Sequence, residues 1–92
     1  MNKQQLIRAV AQRSNLTVEQ AAQAVNSTLD IITDTLAAGE RVQLVGFGAF
    51  EVRERAPRQT HNPRTQEIMD LPAGRAPAFR PGKPLKDAVA GR

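Results

Sequence analysis

The chain has 92 residues, a formal net charge of +4, no cysteine, and only three aromatic side chains, Phe47, Phe50 and Phe79. A chain of this size buries only roughly 60 to 65% of the surface its unfolded form exposes, so a core built mainly from aliphatics predicts association with a second chain. The absence of cysteine excludes a disulfide framework and a thiolate metal site, and no run of about 18 apolar residues marks a membrane helix.

The N-terminal Met1-Asn2-Lys3-Gln4-Gln5 lacks the apolar run of a secretory signal, so a cytosolic location is expected. From Lys3 to Gln12 the residues Leu6, Ile7, Val10 and Ala11 recur at helical spacing and predict a short amphipathic helix, broken by Ser14-Asn15. Thr17-Val18-Glu19-Gln20 matches a capping box, and Leu16 before it can staple onto Ala21. A second helix is predicted from Val18 to about Ala38, with Val18, Ala21, Ala22, Val25, Leu29, Ile32 and Leu36 as its apolar stripe and Gly39 as its stop. Two helices joined by a short turn suggest a helix-turn-helix. The second carries Glu19, Asp30 and Asp34 but neither Lys nor Arg, which suits a structural, subunit-joining pair better than phosphate recognition.

The charge changes sign at this point. Residues 1–40 hold three basic and four acidic side chains, whereas residues 41–92 hold ten and five. With a sequence pI near 10.7, that asymmetry points to an acidic partner, nucleic acid first. A merely solvated basic surface is the plain alternative.

Val42 and Leu44 alternate with Arg41 and Gln43 as a strand does, and Gly46 and Gly48 bracket Phe47 in a tight strand-to-strand connection. A lone Gly-x-Gly without a third glycine and a following helix does not make a dinucleotide loop. Val52-Arg53-Glu54-Arg55 continues as a strand, and the stretch through Ala56-Pro57-Arg58-Gln59-Thr60-His61 then has nothing to bury. Asn62-Pro63 fits the first two positions of a type I turn and predicts a hairpin tip. Ile68-Met69-Asp70-Leu71-Pro72 and Arg75-Ala76-Pro77-Ala78-Phe79-Arg80 return toward the core, and Met69 is expected to pack on the ribbon face. Pro57, Pro72 and Pro77 lack a ladder donor, so these strands are expected to be edges of a free two-stranded ribbon. Leu85, Ala88 and Val89 predict a closing helix of about two turns that begins near Pro84.

Met1-Asn2-Lys3, Leu44-Val45-Gly46-Phe47-Gly48-Ala49-Phe50, Arg53-Glu54-Arg55-Ala56, Asn62-Pro63-Arg64-Thr65, Pro77-Ala78-Phe79-Arg80, Gly82-Lys83 and Leu85-Lys86-Asp87-Ala88-Val89 together resemble the bacterial histone-like HU and integration host factor family over the whole chain. The resemblance implies an α+β fold in an intertwined homodimer, or a heterodimer with a paralogue. Residues 1–40 would form the helical base, 41–52 and 76–80 a β-saddle, 53–75 an extended ribbon arm and 81–92 a C-terminal segment with a short helix. Phe47, Phe50, Phe79, Leu29, Ile32, Leu36 and Leu44 would then share the dimer core.

The resemblance further implies a non-enzymatic architectural protein of the nucleoid that needs no cofactor or metal and binds double-stranded DNA largely without sequence preference. Arg53, Arg55, Arg58, Arg64 and Arg75 along the arm, Arg80, Lys83 and Lys86 at its base and Lys3 would neutralise phosphates. His61 would meet solvent or a backbone phosphate, Asn62 would bind DNA, and Pro63 would match the family's intercalating proline. Flexible or distorted duplexes would be preferred. The sequence departs from the common family pattern at Thr60, His61, Gln66, Gly74, Pro81 and Pro84.

Two other binding functions stay open at this level. An integration-host-factor-like subunit with sequence preference shares the same motifs. A basic RNA-binding protein fits the charge, although Trp and Tyr for a base-stacking platform are missing. Catalysis is disfavoured, since there is one histidine, no cysteine, no phosphate loop and no convincing carboxylate pair.

Overall fold

Two reciprocal capping boxes start the two long helices. In the computed structural model, which describes residues 1–91, helix α1 spans Lys3–Ser14 and helix α2 spans Val18–Ala37. Arg92, the last residue of the expected segment 81–92, lies outside the described residues. Asn2 Oδ1 accepts the Gln5 backbone N–H at 2.9 Å while Gln5 Oε1 accepts that of Asn2 at 2.9 Å. Thr17 and Gln20 repeat the exchange at 3.1 and 3.0 Å. Each box satisfies two N–H groups that helix geometry leaves free.

The first helix runs two residues past the expected Gln12, because its left-handed stop falls on Asn15 at φ 55°, a residue type that tolerates this conformation. The second ends in a Schellman motif. The Gly39 N–H donates to the Leu36 carbonyl at 2.9 Å and the Glu40 N–H to that of Thr35 at 3.1 Å, with Gly39 at φ +86°.

Strands β1 (Val42–Leu44), β2 (Gly48–Arg55), β3 (Arg58–His61), β4 (Ile68–Leu71) and β5 (Gly74–Pro81) follow, and α3 (Lys83–Ala90) closes the described chain. One antiparallel sheet has the order β1-β2-β5, and β3 pairs with β4 in a separate two-stranded ribbon. The interruption between them falls at residues 56–57 and 72–73, so Pro57 and Pro72 sit where no ladder hydrogen bond is required. Pro77 lies inside β5, an edge strand, opposite Val52. The closing helix begins at Lys83, one residue before the expected Pro84. Gly82 is its N-cap, and the ring of Pro84 falls in the first turn, where a missing N–H leaves no bond unmade.

Strand pairing sorts the side chains of the three-stranded sheet. Val42, Phe50 and Phe79 share one row and Val52 and Pro77 the next, on one face. Phe79 lies 4.8 Å from Phe50 and 5.5 Å from Phe47 between ring centroids. Helix α2 packs against β1 and β2.

These elements still leave a single chain without a core. Among the described residues the buried hydrophobic side chains are Ala11, Ala21 and Val25, all small. Phe47 keeps 46% of its surface exposed, Leu29 43%, Leu44 39% and Phe79 38%, while Phe50, Ile32 and Leu36 are half-buried. The radius of gyration is 18.3 Å, against about 12 Å for a compact domain of this length.

Candidate nucleic-acid interface

The sheet face opposite Phe50 and Phe79 is cationic. Arg53 pairs with Ala76, Arg55 with Gly74 and Arg80 with Ala49, so each arginine there looks across the ladder at an alanine or glycine. Gln43, opposite Ala49, extends the same face, and the Arg41 guanidinium donates to its Oε1 at 3.4 Å. Neither Arg41 nor Gln43 was expected at the interface, and alternation along β1 could have suggested both.

One acid lies within this face. Glu51, two residues from Arg53 on the same strand, has Oε1 2.6 Å from Arg80 Nε. The pair is diagonal across the ladder, since Glu51 faces Ala78. Lys83 is likewise paired, with Nζ donating to Asp87 Oδ2 at 2.7 Å one helical turn on. The Arg80 and Lys83 side chains are 71% and 85% exposed, whereas those of Glu51 and Asp87 are 25% and 40%, and pairs open to water on the cationic side contribute only about 0 to 1 kcal/mol.

Arg75 stands apart from the other arm cations. Its partner across the ladder is Glu54, which places it on the apolar, helix-facing side, and its Nη2 donates to the Ala37 carbonyl at 3.2 Å. Alternation along the strand thus sends Arg75 to the sheet face opposite that of Arg53 and Arg55.

In the ribbon, Arg58 and Thr60 share a face with Leu71 and Met69, and Gln59 and His61 share the other with Asp70 and Ile68. Met69, opposite Thr60, is 44% exposed. The tip closes one residue later than a type I turn would. The Gln66 N–H donates to the Asn62 carbonyl at 2.7 Å, and the Asn62 N–H donates to that of Glu67 at 2.9 Å. Asn62 Oδ1 accepts the Arg64 N–H at 2.9 Å, an Asx turn over Pro63. His61 Nε2 lies 3.1 Å from the Gln66 carbonyl oxygen. Gln66 itself is held at φ +60°, a left-handed position where glycine is at ease. Pro63 and Arg64 are exposed at the end of the ribbon.

Lys3 opens α1 and Lys86 lies in α3, both exposed. The structure thus brings Arg53, Arg55 and Arg80 onto one sheet face and sets Arg58, His61, Asn62, Pro63 and Arg64 along the ribbon that continues from it.

Comparison with known proteins agrees with this layout. Residues 1–90 match the family model described as bacterial DNA-binding protein. The chain is 54% identical over 92 residues to DNA-binding protein HU 1 of Bacillus subtilis, covering 100% of both chains. It is 56% identical over 89 residues to DNA-binding protein HU of Geobacillus stearothermophilus, covering 97% of this chain and 99% of the relative. Among solved structures, the Anabaena HU–DNA cocrystal structure is similar with a TM-score of 0.92 at 43% identity, over 100% of each chain. Agreement at that level over the full length includes the ribbon as well as the base.

Proposed function

The chain belongs to the bacterial DNA-binding protein family and is a histone-like, architectural DNA-binding protein of the HU type, and we propose that it bends double-stranded DNA between the two ribbon arms of a dimer. The observation that carries this reading is the cationic sheet face that runs out into an exposed, proline-tipped ribbon. Arg53, Arg55 and Arg80 bind phosphates at the saddle, and Arg58 and Arg64, with His61 and Asn62 beside them, follow the groove outward. Lys3, Lys83 and Lys86 extend the cationic track at the base. Such contacts position the protein without reading sequence. Pro63 enters a base step, and the unstacking, about a few kcal/mol, is offset by the further contacts that a bent duplex permits.

Dimerisation supplies the core the single chain lacks. Half-exposed Phe47, Phe79, Leu29 and Leu44, together with Phe50, Ile32 and Leu36, form one shared apolar interior, and a second copy of this chain is the partner proposed. The protein acts without catalysis, in the cytoplasm, on the nucleoid. Close identity to HU proteins over the whole length favours this over a sequence-selective subunit or an RNA-binding role.

Measuring the mass of the purified chain together with its bending of random-sequence, nicked and defined-site duplexes tests the proposal. A dimer that bends all of them and prefers the nicked duplex is expected. A monomer, or a preference of about 10³-fold for one defined site, overturns it.

A further inference from the structure

Arg75 is the arm cation that the cationic face does not contain, and its position suggests a different task. It lies one residue into β5, just after the interruption at residues 72–73 that separates the outer ribbon from the sheet. From there its guanidinium reaches the end of α2, where Nη2 donates to the Ala37 carbonyl at 3.2 Å. The final bonds of that helix run from Ala38 to Asp34, from Gly39 to Leu36 and from Glu40 to Thr35, none of which occupies the Ala37 oxygen. Helix α2 has no basic residue in its last turn, so the cation that suits the negative end of its dipole comes from the arm. The fit is close. A Cβ added at Gly39 would stand 3.4 Å from Arg75 Nη1, and Arg75 lines a groove with Leu36, Ala37, Val52 and Pro77.

We infer that Arg75 is a positioning residue, a latch that ties the root of the ribbon arm to the C-terminal end of α2 and so sets the angle at which the arm leaves the helical base. A two-stranded ribbon has no third strand to hold its direction, and beyond residue 55 the ladder is broken. The hydrogen bond from Arg75, one ladder pair before the break, therefore biases the direction in which the sheet hands over to the ribbon. The inference rests on the reading that the arms grip DNA, but the latch itself is a property of the free protein.

The natural chain has no cysteine, so a single Gln59→Cys substitution carries one spin label per arm, just beyond the break in the ladder, and the arm-to-arm distance distribution can be read in the DNA-free dimer. Arg75→Ala should broaden or shift that distribution, while Arg75→Lys, which can still donate to the Ala37 carbonyl, should keep it close to the parent. In duplex titrations Arg75→Ala should leave the slope of log K against log salt unchanged. An unaltered distance distribution in Arg75→Ala overturns the latch, as does a slope that falls by the roughly 0.9 expected of a lost phosphate contact. Arg58→Ala in the same titrations keeps the two readings separate: if its slope is also unchanged, the arm does not grip DNA, and the label distances still decide the latch.

Discussion

The ring of Phe79 lies against Gly48, so that a Cβ added at Gly48 would stand 2.6 Å from the ring and 2.6 Å from the Arg80 carbonyl oxygen. The glycine is required by space, since its backbone is ordinary extended strand. Gly46, two residues earlier, is the opposite case: it has nothing within 4 Å but sits at φ +84°, the third position of the turn closed by Phe47 N–H to Leu44 carbonyl at 2.9 Å.

The two glycines should therefore fail differently. Gly48→Ala is expected to destabilise the dimer by about 1 to 3 kcal/mol through overpacking, and Gly48→Asn by no less. Gly46→Asn should be tolerated better than Gly46→Ala, because Asn accepts a left-handed backbone. Thermal unfolding of the four variants at one protein concentration separates steric from conformational need. Equal losses for Asn and Ala at position 46 would contradict the turn assignment.

Glu51 should restrain DNA binding. Its carboxylate occupies Arg80 at 2.6 Å and faces the same side as Arg53 and Arg55, where a polyanion meets repulsion from it. Glu51→Gln is expected to tighten binding across sequences and to steepen the log K against log salt slope by up to about 0.9. Titration of one random duplex over a series of salt concentrations is sufficient. Unchanged affinity and slope would mean that Arg80 does not engage phosphate.

Gln66 should be replaceable with profit to the tip. A non-glycine residue in the left-handed region costs about 1 to 2 kcal/mol, whereas glycine carries an entropic penalty of roughly 0.5 to 1 kcal/mol. Gln66→Gly is therefore expected to slow amide exchange at Asn62 and at position 66, whose N–H groups close the turn. Faster exchange at both sites would show that the side chain of Gln66 holds the tip in some other way.

The helices were legible because their signals are local. Thr17 and Gln20 stand three residues apart and act on each other's backbone, and Gly39 ends its helix where the apolar stripe ends. The arm was legible as an exposed ribbon for the same reason, since proline and unburied charge mark it residue by residue. The sides of the sheet were not. Arg75 and Arg53 both fall in strands that alternate, and only the pairing of Arg55 with Gly74 shows that the two point to opposite faces. The Glu51–Arg80 pair joins residues 29 apart, a distance over which spacing carries no information, whereas Lys83–Asp87 at i,i+4 was available to inspection. The tip closed one residue late because the last turn residue, Gln66, takes the left-handed position that its side chain does not advertise.

Pro63 should matter for bending and not for folding. It is exposed at the ribbon tip, where the turn is held by Asn62 through its backbone and Oδ1. Pro63→Ala is therefore expected to preserve thermal stability while reducing the duplex bend and the preference for nicked over intact DNA. Energy transfer across an end-labelled duplex reads both. An unchanged bend would reduce Pro63 to a turn residue.

Phe47 is expected to behave in the reverse way. In one chain its ring is nearly half exposed, yet it lies 5.5 Å from the ring of Phe79 and its carbonyl accepts the Gly82 N–H at 2.8 Å, where α3 begins. A side chain placed so centrally but left so bare is expected to find its missing contacts in a second chain. Phe47→Ala should cost on the order of 3 to 5 kcal/mol and make unfolding strongly dependent on protein concentration, because folding and association are one equilibrium when no stable monomer exists. Sedimentation and thermal unfolding over a range of concentrations measure this together. A folded, soluble monomer carrying the substitution would show that the single chain is self-sufficient, and the shared-core dimer would have to be abandoned.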